Sequence, residues 1–483
     1  MLFNSLDFGI FLPIVFALYW LIPREKFRWQ NILILGASYF FYGWWVWRFL
    51  FLISFSSALD YTVGRLLDRS EDPGLRKWFL AISVVTNLGL LGFFKYYNFF
   101  VESFIAGFSF LGLEIQGGTL ELILPVGISF YTFQTLSYTI DIYRGKLRAS
   151  RDPIQFFAFV SFFPQLVAGP IERATSLLPQ FAGPRTFDAA KASDGGKQIL
   201  WGFVKKVVIG DNCASAIYWM FAHPAEVSSG EMFLGAMLFA LRCYGDFSGY
   251  SDIAIGTARL FGFNLTQNFA FPYFSRDIAE FWRRWHISLS TWLRDYLYIP
   301  LGGNRGGKWK TVRNVLLTFL ICGFWHGADW KFVVWGGVNG LYFIPLLLAQ
   351  RHRQHVEIIA RDRWLPTPKE LGQVAITFIF VSLSVVFLRA ASTEDAFFII
   401  YCIFRDPMAW FSPDYLLKFQ SLLVAIGIFM TIEWIGRREE YALAGLVPGW
   451  PRALRWLIYA ALAVLVVYYL FSREEFEFVY FHF

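Results

Sequence analysis

Twelve stretches of this chain are apolar, and most are long enough to cross a bilayer, which decides most of what the chain can fold into. They lie at 6–22, 31–47, 49–67, 78–98, 122–142, 199–221, 231–257, 312–328, 330–350, 371–390, 416–435 and 453–471. A crossing takes about 20 residues of helix, and lipid offers no partner to an unpaired backbone N–H or C=O. With 56% of the 483 residues hydrophobic and 16% charged, little polar surface is left for a soluble fold. The expectation is an all-α polytopic membrane protein with about 11–13 transmembrane helices, forming one membrane domain over residues 1–483. The first run follows Met1-Leu2-Phe3-Asn4 with no basic stretch before it and no small-residue cleavage site after it, so it is read as a retained helix.

Basic residues set the orientation, because short cytoplasmic loops collect Lys and Arg. Arg24, Lys26 and Arg28 follow the first span, Arg69, Arg76 and Lys77 the third, and Arg144, Lys146, Arg148 and Arg151 the fifth. The intervening segments 102–121 (Glu102, Glu114, Glu121) and 222–231 (Glu226, Glu231) carry acidic residues, and are read as outer loops. The N-terminus is therefore placed outside. The formal charge of +7 is spent on topology and headgroup contact with the lipid bilayer, and no nucleic-acid partner is expected.

Several polar features interrupt this apolar pattern. The segment 152–173 is broken by Pro164, Gly169 and Pro170, which predicts a re-entrant hairpin lining a cavity open to the cytoplasm. Cys213, Cys243, Cys322 and Cys402 have neither paired nor Cys-x-x-Cys spacing, so no disulfide framework and no metal site are expected. The loop Leu301-Gly302-Gly303-Asn304-Arg305-Gly306-Gly307-Lys308-Trp309 nearly matches a phosphate-binding P-loop. It fails because Trp309 stands where a magnesium-binding hydroxyl belongs and because helix, not strand, precedes it.

Two of the six histidines lie within aromatic sequence at membrane depth: His286 in Phe281-Trp282-Arg283-Arg284-Trp285-His286 and His326 in Gly323-Phe324-Trp325-His326-Gly327. Ionisable groups there are costly and mark functional sites by default. A neutral imidazole accepts a hydroxyl proton near pH 7, which points to acyl transfer. The bland alternatives are a turn-stabilising hydrogen bond for His326 and an interfacial position beside Trp285 for His286. Residues 276–297 are read as one amphipathic helix, with Phe281, Trp285, Ser288, Trp292 and Tyr296 on one stripe and Arg283, His286, Ser290 and Arg294 on the next. Its basic character, continued by Arg305, Lys308, Lys310 and Arg313, suits a phosphate-rich acyl donor, with Arg283, Arg284 and Arg294 as candidate donor contacts. Asp246 and Asp252 could bind substrate or pair with Arg259 and other buried cations, and pairing is the favoured reading. Asp141 and Arg144 are expected to form a local pair at a span end.

The stretches 125–145, 162–173, 244–256, 271–305 and 322–340, together with the closing FVYFHF at 478–483, resemble the membrane-bound O-acyltransferases, in particular the branch containing bacterial alginate O-acetylation proteins. The resemblance implies tilted helices around a funnel through the membrane. It also implies His326 as principal catalytic histidine and His286 as the second active-site position. Where many relatives carry a further histidine in Trp-Gly-x-x-His-Gly, this chain has Asn339, which is left a hydrogen-bonding role at most. The implied activity is O-acyl transfer, expected to be O-acetyl transfer. The donor would be acetyl-CoA or another acyl thioester, with no tightly bound cofactor. The acceptor would be an exported polysaccharide such as alginate, reached through an extracytoplasmic acyltransferase partner and a polysaccharide biosynthesis and export complex at a bacterial inner membrane. The alternatives are D-alanyl transfer to teichoic acid from a carrier protein, a glycan or acyl transporter, and a non-catalytic scaffold.

Overall fold

The computed structural model describes residues 1–115, 117–167, 169–446, 449–472 and 478, and all regular structure among them is helical. Among the described residues, five helices are long and apolar enough to cross a membrane: Phe49–Arg69, Pro73–Phe110, Trp330–Leu348, Pro368–Arg389 and Arg452–Ser472. The pair Leu6–Leu21 and Arg24–Gly43 passes the same test jointly, bent by 110°. Other expected spans appear as shorter apolar helices, such as Gln420–Gly436, or as helices bearing buried charge. The protein is thus a multi-pass membrane protein. Of the closing FVYFHF, only Phe478 falls within the described residues, and it is buried against Phe247 and Tyr250.

The chain folds as two compact units, the first comprising Met1–Ser193 with Thr257–Thr266. Its centre is Ile128–Tyr143, in which every side chain but those of Ile140 and Tyr143 is buried. Polar groups inside this unit are matched to one another, as a low-dielectric interior requires. Asp60 accepts from Ser83 Oγ at 2.6 Å and from Asn87 Nδ2 at 2.8 Å. The expected break in 152–173 is present, with Pro153–Ser161 and Phe163–Leu166 separated at Phe162. Its backbone is satisfied by protein: Gln134 Nε2 donates to Phe159 O at 3.0 Å, and Phe163 N donates to Ser38 Oγ at 3.0 Å.

The second unit comprises Asp194–Gly256 with Gln267–Phe483. The run expected as a span at 199–221 is α-helical to Phe203, π-helical over Val204–Gly210 and α-helical again over Asp211–Ala222. A π-turn inside an α-helix commonly accompanies a specialised site, and here it carries the buried Lys205 and Lys206. Lys205 Nζ lies 2.9 Å from Asp252 and 3.5 Å from Glu433, and Lys206 Nζ lies 2.7 Å from Asp211 and 2.8 Å from Asp246. Asp246 and Asp252 do pair with buried cations, and the lysines that serve, Lys205 and Lys206, were not singled out in the sequence.

Candidate active site

The single amphipathic helix expected over 276–297 is instead two short helices and a π-turn: Ile278–Arg284, Ile287–Leu293 and Arg294–Tyr298. The break falls at Trp285 and His286. His286 has φ 44° and ψ 54°, in the left-handed region, which costs a non-glycine residue roughly 1–3 kcal/mol and persists only where the surroundings impose it. Asn268 supplies the constraint. Its main-chain carbonyl accepts from Ile287 N at 2.9 Å, and its side-chain oxygen accepts from Ser288 Oγ at 2.9 Å and Ser288 N at 3.3 Å.

The same contacts fix the histidine's tautomer. A main-chain N–H only donates, so the Asn268 atom facing Ser288 N is the amide oxygen, while Nδ2 lies 3.1 Å from Ser251 Oγ. His286 Nδ1 faces that oxygen at 3.1 Å and must therefore carry the proton. The basic lone pair is thereby placed on Nε2. Phe247 packs edge-on against the imidazole at 4.7 Å, and the residue is only 1% exposed.

His326 is the last residue of Lys308–His326 and is equally enclosed, at 3% exposed. This helix packs backbone to backbone on Trp330–Leu348. A Cβ built on Gly323 would sit 2.2 Å from Phe332 O, and one on Gly336 2.3 Å from Phe319 O, so only glycine permits the approach. The approach brings Trp335 edge-on to His326, with ring centroids 4.8 Å apart. Trp325 lies 5.1 Å from His326 and 6.2 Å from His286, so one indole neighbours both imidazoles. Two histidines separated by 40 positions are in this way gathered around a single aromatic cluster. Asn339 is also buried nearby and donates to Trp335 O at 2.9 Å, a hydrogen-bonding role as expected.

The three arginines expected at the donor divide by what they touch. Arg283 donates to His352 O and His355 O, each at 2.7 Å. Arg284 is held by buried Glu280 at 2.9 Å, which also binds Arg276 at 3.0 Å. Only Arg294 of the three lines the large cavity of the second unit, a space of about 870 Å³ that Arg305, Lys308, His352 and Arg353 also border. The glycine-rich loop forms part of its wall, and Gly302, Gly303, Gly306 and Gly307 all have positive φ. Asn314 Nδ2 ties that loop down through Leu301 O at 3.1 Å and Gly303 O at 2.9 Å. The size is that of a small-molecule site. Asp295 pairs with Arg294 at 2.7 Å, but Arg305, Lys308 and Arg353, with titratable His352, leave the lining with an excess of positive charge that makes it receptive to a polyanion. The cationic loop residues Arg305, Lys308 and Arg353 were not singled out individually as donor contacts from sequence. Arg305 and Lys308 sit in the rejected P-loop look-alike, which was the available signal.

No group of three or more His, Cys, Asp or Glu side chains suited to a metal occurs among the described residues. Residues 145–392 match the family model described as MBOAT, membrane-bound O-acyltransferase family. The chain is 46% identical over 399 residues to a probable alginate O-acetylase AlgI of Pseudomonas syringae pv. tomato, covering 82% of this chain and 74% of the relative. It is 42% identical over 399 residues to a protein of the same description from Azotobacter vinelandii, covering 82% and 76%. It is also 36% identical over 425 residues to a peptidoglycan O-acetyltransferase of Helicobacter pylori, covering 82% and 78%. A match across this much of the chain at this identity leaves one assignment: this multi-pass membrane acyltransferase belongs to the membrane-bound O-acyltransferase family.

Proposed function

We propose that the protein is an O-acetyltransferase of a bacterial inner membrane that takes acetyl from a cytoplasmic thioester and passes it toward an exported or cell-surface polysaccharide such as alginate. His326 is the proposed base, and His286 is the second active-site group, orienting the first or stabilising developing charge. The observation that carries this reading is the gathering of both imidazoles at Trp325, with His286 held in a strained backbone conformation and a fixed tautomer by Asn268. Strain of that kind is retained where a function requires it. Similarity to proteins described as alginate O-acetylases and as a peptidoglycan O-acetyltransferase supports acetyl as the group and a surface glycan as its destination.

The chemistry asks for little beyond these parts. The acceptor hydroxyl oxygen bonds to the thioester carbonyl carbon, and its proton goes to the imidazole. The carbon–sulfur bond then breaks, and the thiolate leaves with that proton as a thiol. The cationic cavity supports acetyl-CoA, or a phosphopantetheine-bearing carrier, as the donor, with Arg294, Arg305, Lys308 and Arg353 facing the phosphates and no tightly bound cofactor required. Arg283 and Arg284 then act one step back, fixing the helices and the 352–357 segment beside the cavity. The direct acceptor is proposed to be a hydroxyl supplied by an extracytoplasmic acyltransferase partner within a polysaccharide biosynthesis and export complex.

The test is the ester-linked acetyl content of surface polysaccharide in cells that lack redundant enzymes and carry wild-type protein or His326→Ala. Loss of acetyl ester at normal membrane abundance of the variant is expected. Unchanged acetyl content would sink the proposal.

A further inference from the structure

A second, enclosed cavity of about 20 Å³ is bordered by Trp335, Trp282, Trp285, Tyr273 and Phe281, by Cys243, Val381, Val385 and Leu388, and by the polar Asn339 and Ser384. A space of this volume admits one or two heavy atoms. Trp282 and Trp335 both border it, are 9% and 4% exposed, and stand 5.8 Å apart ring to ring. The indole N–H of each is buried with no acceptor among the described residues. Indole offers a donor and nothing else, and a buried donor left unmatched costs free energy unless something outside the chain supplies the acceptor. Two residues with such donors therefore border one small space, whose polar lining residues Asn339 and Ser384 donate to Trp335 O and Val381 O, and Trp335 packs directly against His326.

We propose that Trp282 and Trp335 donate their indole N–H groups to the carbonyl oxygen of the transferred acyl group, and that the enclosed cavity between them seats its short alkyl end. This deepens the acetyl-transfer reading above and rests on it. When the acceptor hydroxyl oxygen bonds to the carbonyl carbon, the π electron pair moves onto the carbonyl oxygen, and two fixed donors stabilise the charge that appears there. The pair then returns to re-form the C=O bond as the carbon–sulfur bond breaks, and the hydroxyl proton moves through the imidazole to the departing sulfur. A space for one or two heavy atoms accepts the methyl of an acetyl group and rejects longer acyl chains, so Val381, Val385 and Leu388 set the length of the group transferred.

The test uses the purified full-length protein in detergent or vesicles, with acetyl and propionyl thioesters as donors and thiol release plus ester formation as readouts. Trp282→Phe and Trp335→Phe keep the aromatic surface and remove only the N–H. Each is expected to lower kcat by roughly 100-fold, with donor KM changed by less than about threefold. Val385→Ala and Val381→Ala remove volume without touching a donor, and are expected to raise propionyl transfer relative to acetyl by about tenfold. If both Trp→Phe variants, at wild-type thermal stability, keep wild-type kcat while His326→Ala is inactive, the indole assignment is overturned and the acetyl-transfer reading stands. If the Trp→Phe variants lose thermal stability while kcat and acyl preference are unchanged, the two N–H groups serve only an ordered water and the assignment is equally overturned. If His326→Ala retains activity, the acetyl-transfer reading fails first.

Discussion

Replacing Asn268 with alanine removes the acceptor that holds His286 in its left-handed backbone conformation. Three donors lose their partner together: His286 Nδ1 at 3.1 Å, Ser288 Oγ at 2.9 Å and Ser288 N at 3.3 Å. At about 1 kcal/mol net for each hydrogen bond, the hold is worth roughly 3 kcal/mol. That is enough to offset the roughly 1–3 kcal/mol that the left-handed conformation costs. Without it, the balance at His286 shifts toward ordinary helical or extended backbone, which turns the imidazole away from its present bearing and frees the tautomer. If the same 3 kcal/mol is lost from the transition state, kcat falls by roughly 100-fold at 1.36 kcal/mol per decade. The assay is acyl transfer by the purified protein, with melting temperature and membrane abundance recorded alongside. Asn268→Asp keeps an oxygen acceptor in place and is expected to retain activity within about tenfold. A carboxylate there favours the charged imidazolium of His286, so the neutral form of this supporting group is lost at a higher pH than in the wild type, and the acid limb of the pH–rate profile moves upward in pH. A wild-type kcat and pH profile for Asn268→Ala at normal stability would refute the reasoning.

Three further outcomes follow from the same geometry. Lys205→Met strands Asp252 and Glu433 in a fully buried setting and is expected to cost about 3–5 kcal/mol, read as lost membrane abundance or a lowered Tm, whereas Lys205→Met with Asp252→Leu recovers part of it. Gly323→Ala forces a Cβ to within 2.2 Å of Phe332 O, so the helices bearing His326 and Trp335 must separate; both Tm and kcat are expected to fall, and an unchanged kcat would contradict the packing described. Arg294→Ala combined with Arg353→Ala removes two of the cations bordering the large cavity and is expected to raise donor KM by about tenfold or more, with kcat changed little; an unchanged KM at low ionic strength would place the donor elsewhere.

The two histidines were legible because imidazole at membrane depth is expensive, and because the sequence around each matched a known family. What joined them was not. The stripe Phe281, Trp285, Ser288, Trp292, Tyr296 runs through the break at His286 without a glycine or proline to mark it, so periodicity alone reads one helix where there are two. The energy that breaks it comes from Asn268, an unremarked polar residue in Asn268-Phe269-Ala270-Phe271-Pro272, and long-range hydrogen bonds of that kind leave no periodic trace. The pairing of Asp246 and Asp252 with buried cations was anticipated, but Lys205 and Lys206 were hidden inside an apolar run whose π-turn no local pattern announces. The glycine-rich loop at 301–309 was set aside as a nucleotide-hydrolysis motif. Three of its four positive-φ glycines, Gly302, Gly303 and Gly307, instead shape the wall of a cationic cavity, a use visible only once the loop is placed. Among the expected donor arginines, Arg284 looked free in sequence because Glu280, four residues before it, was not weighed as its partner.

The most direct test of the account is thiol release and acetyl-ester formation by purified wild-type protein and by His326→Ala and His326→Gln, supplied with an acetyl thioester and a hydroxyl acceptor. The account predicts that both variants lose activity by roughly 100-fold or more while retaining the wild-type Tm, since glutamine fills the space of the imidazole without serving as a base. Turnover by His326→Gln at the wild-type rate would contradict it.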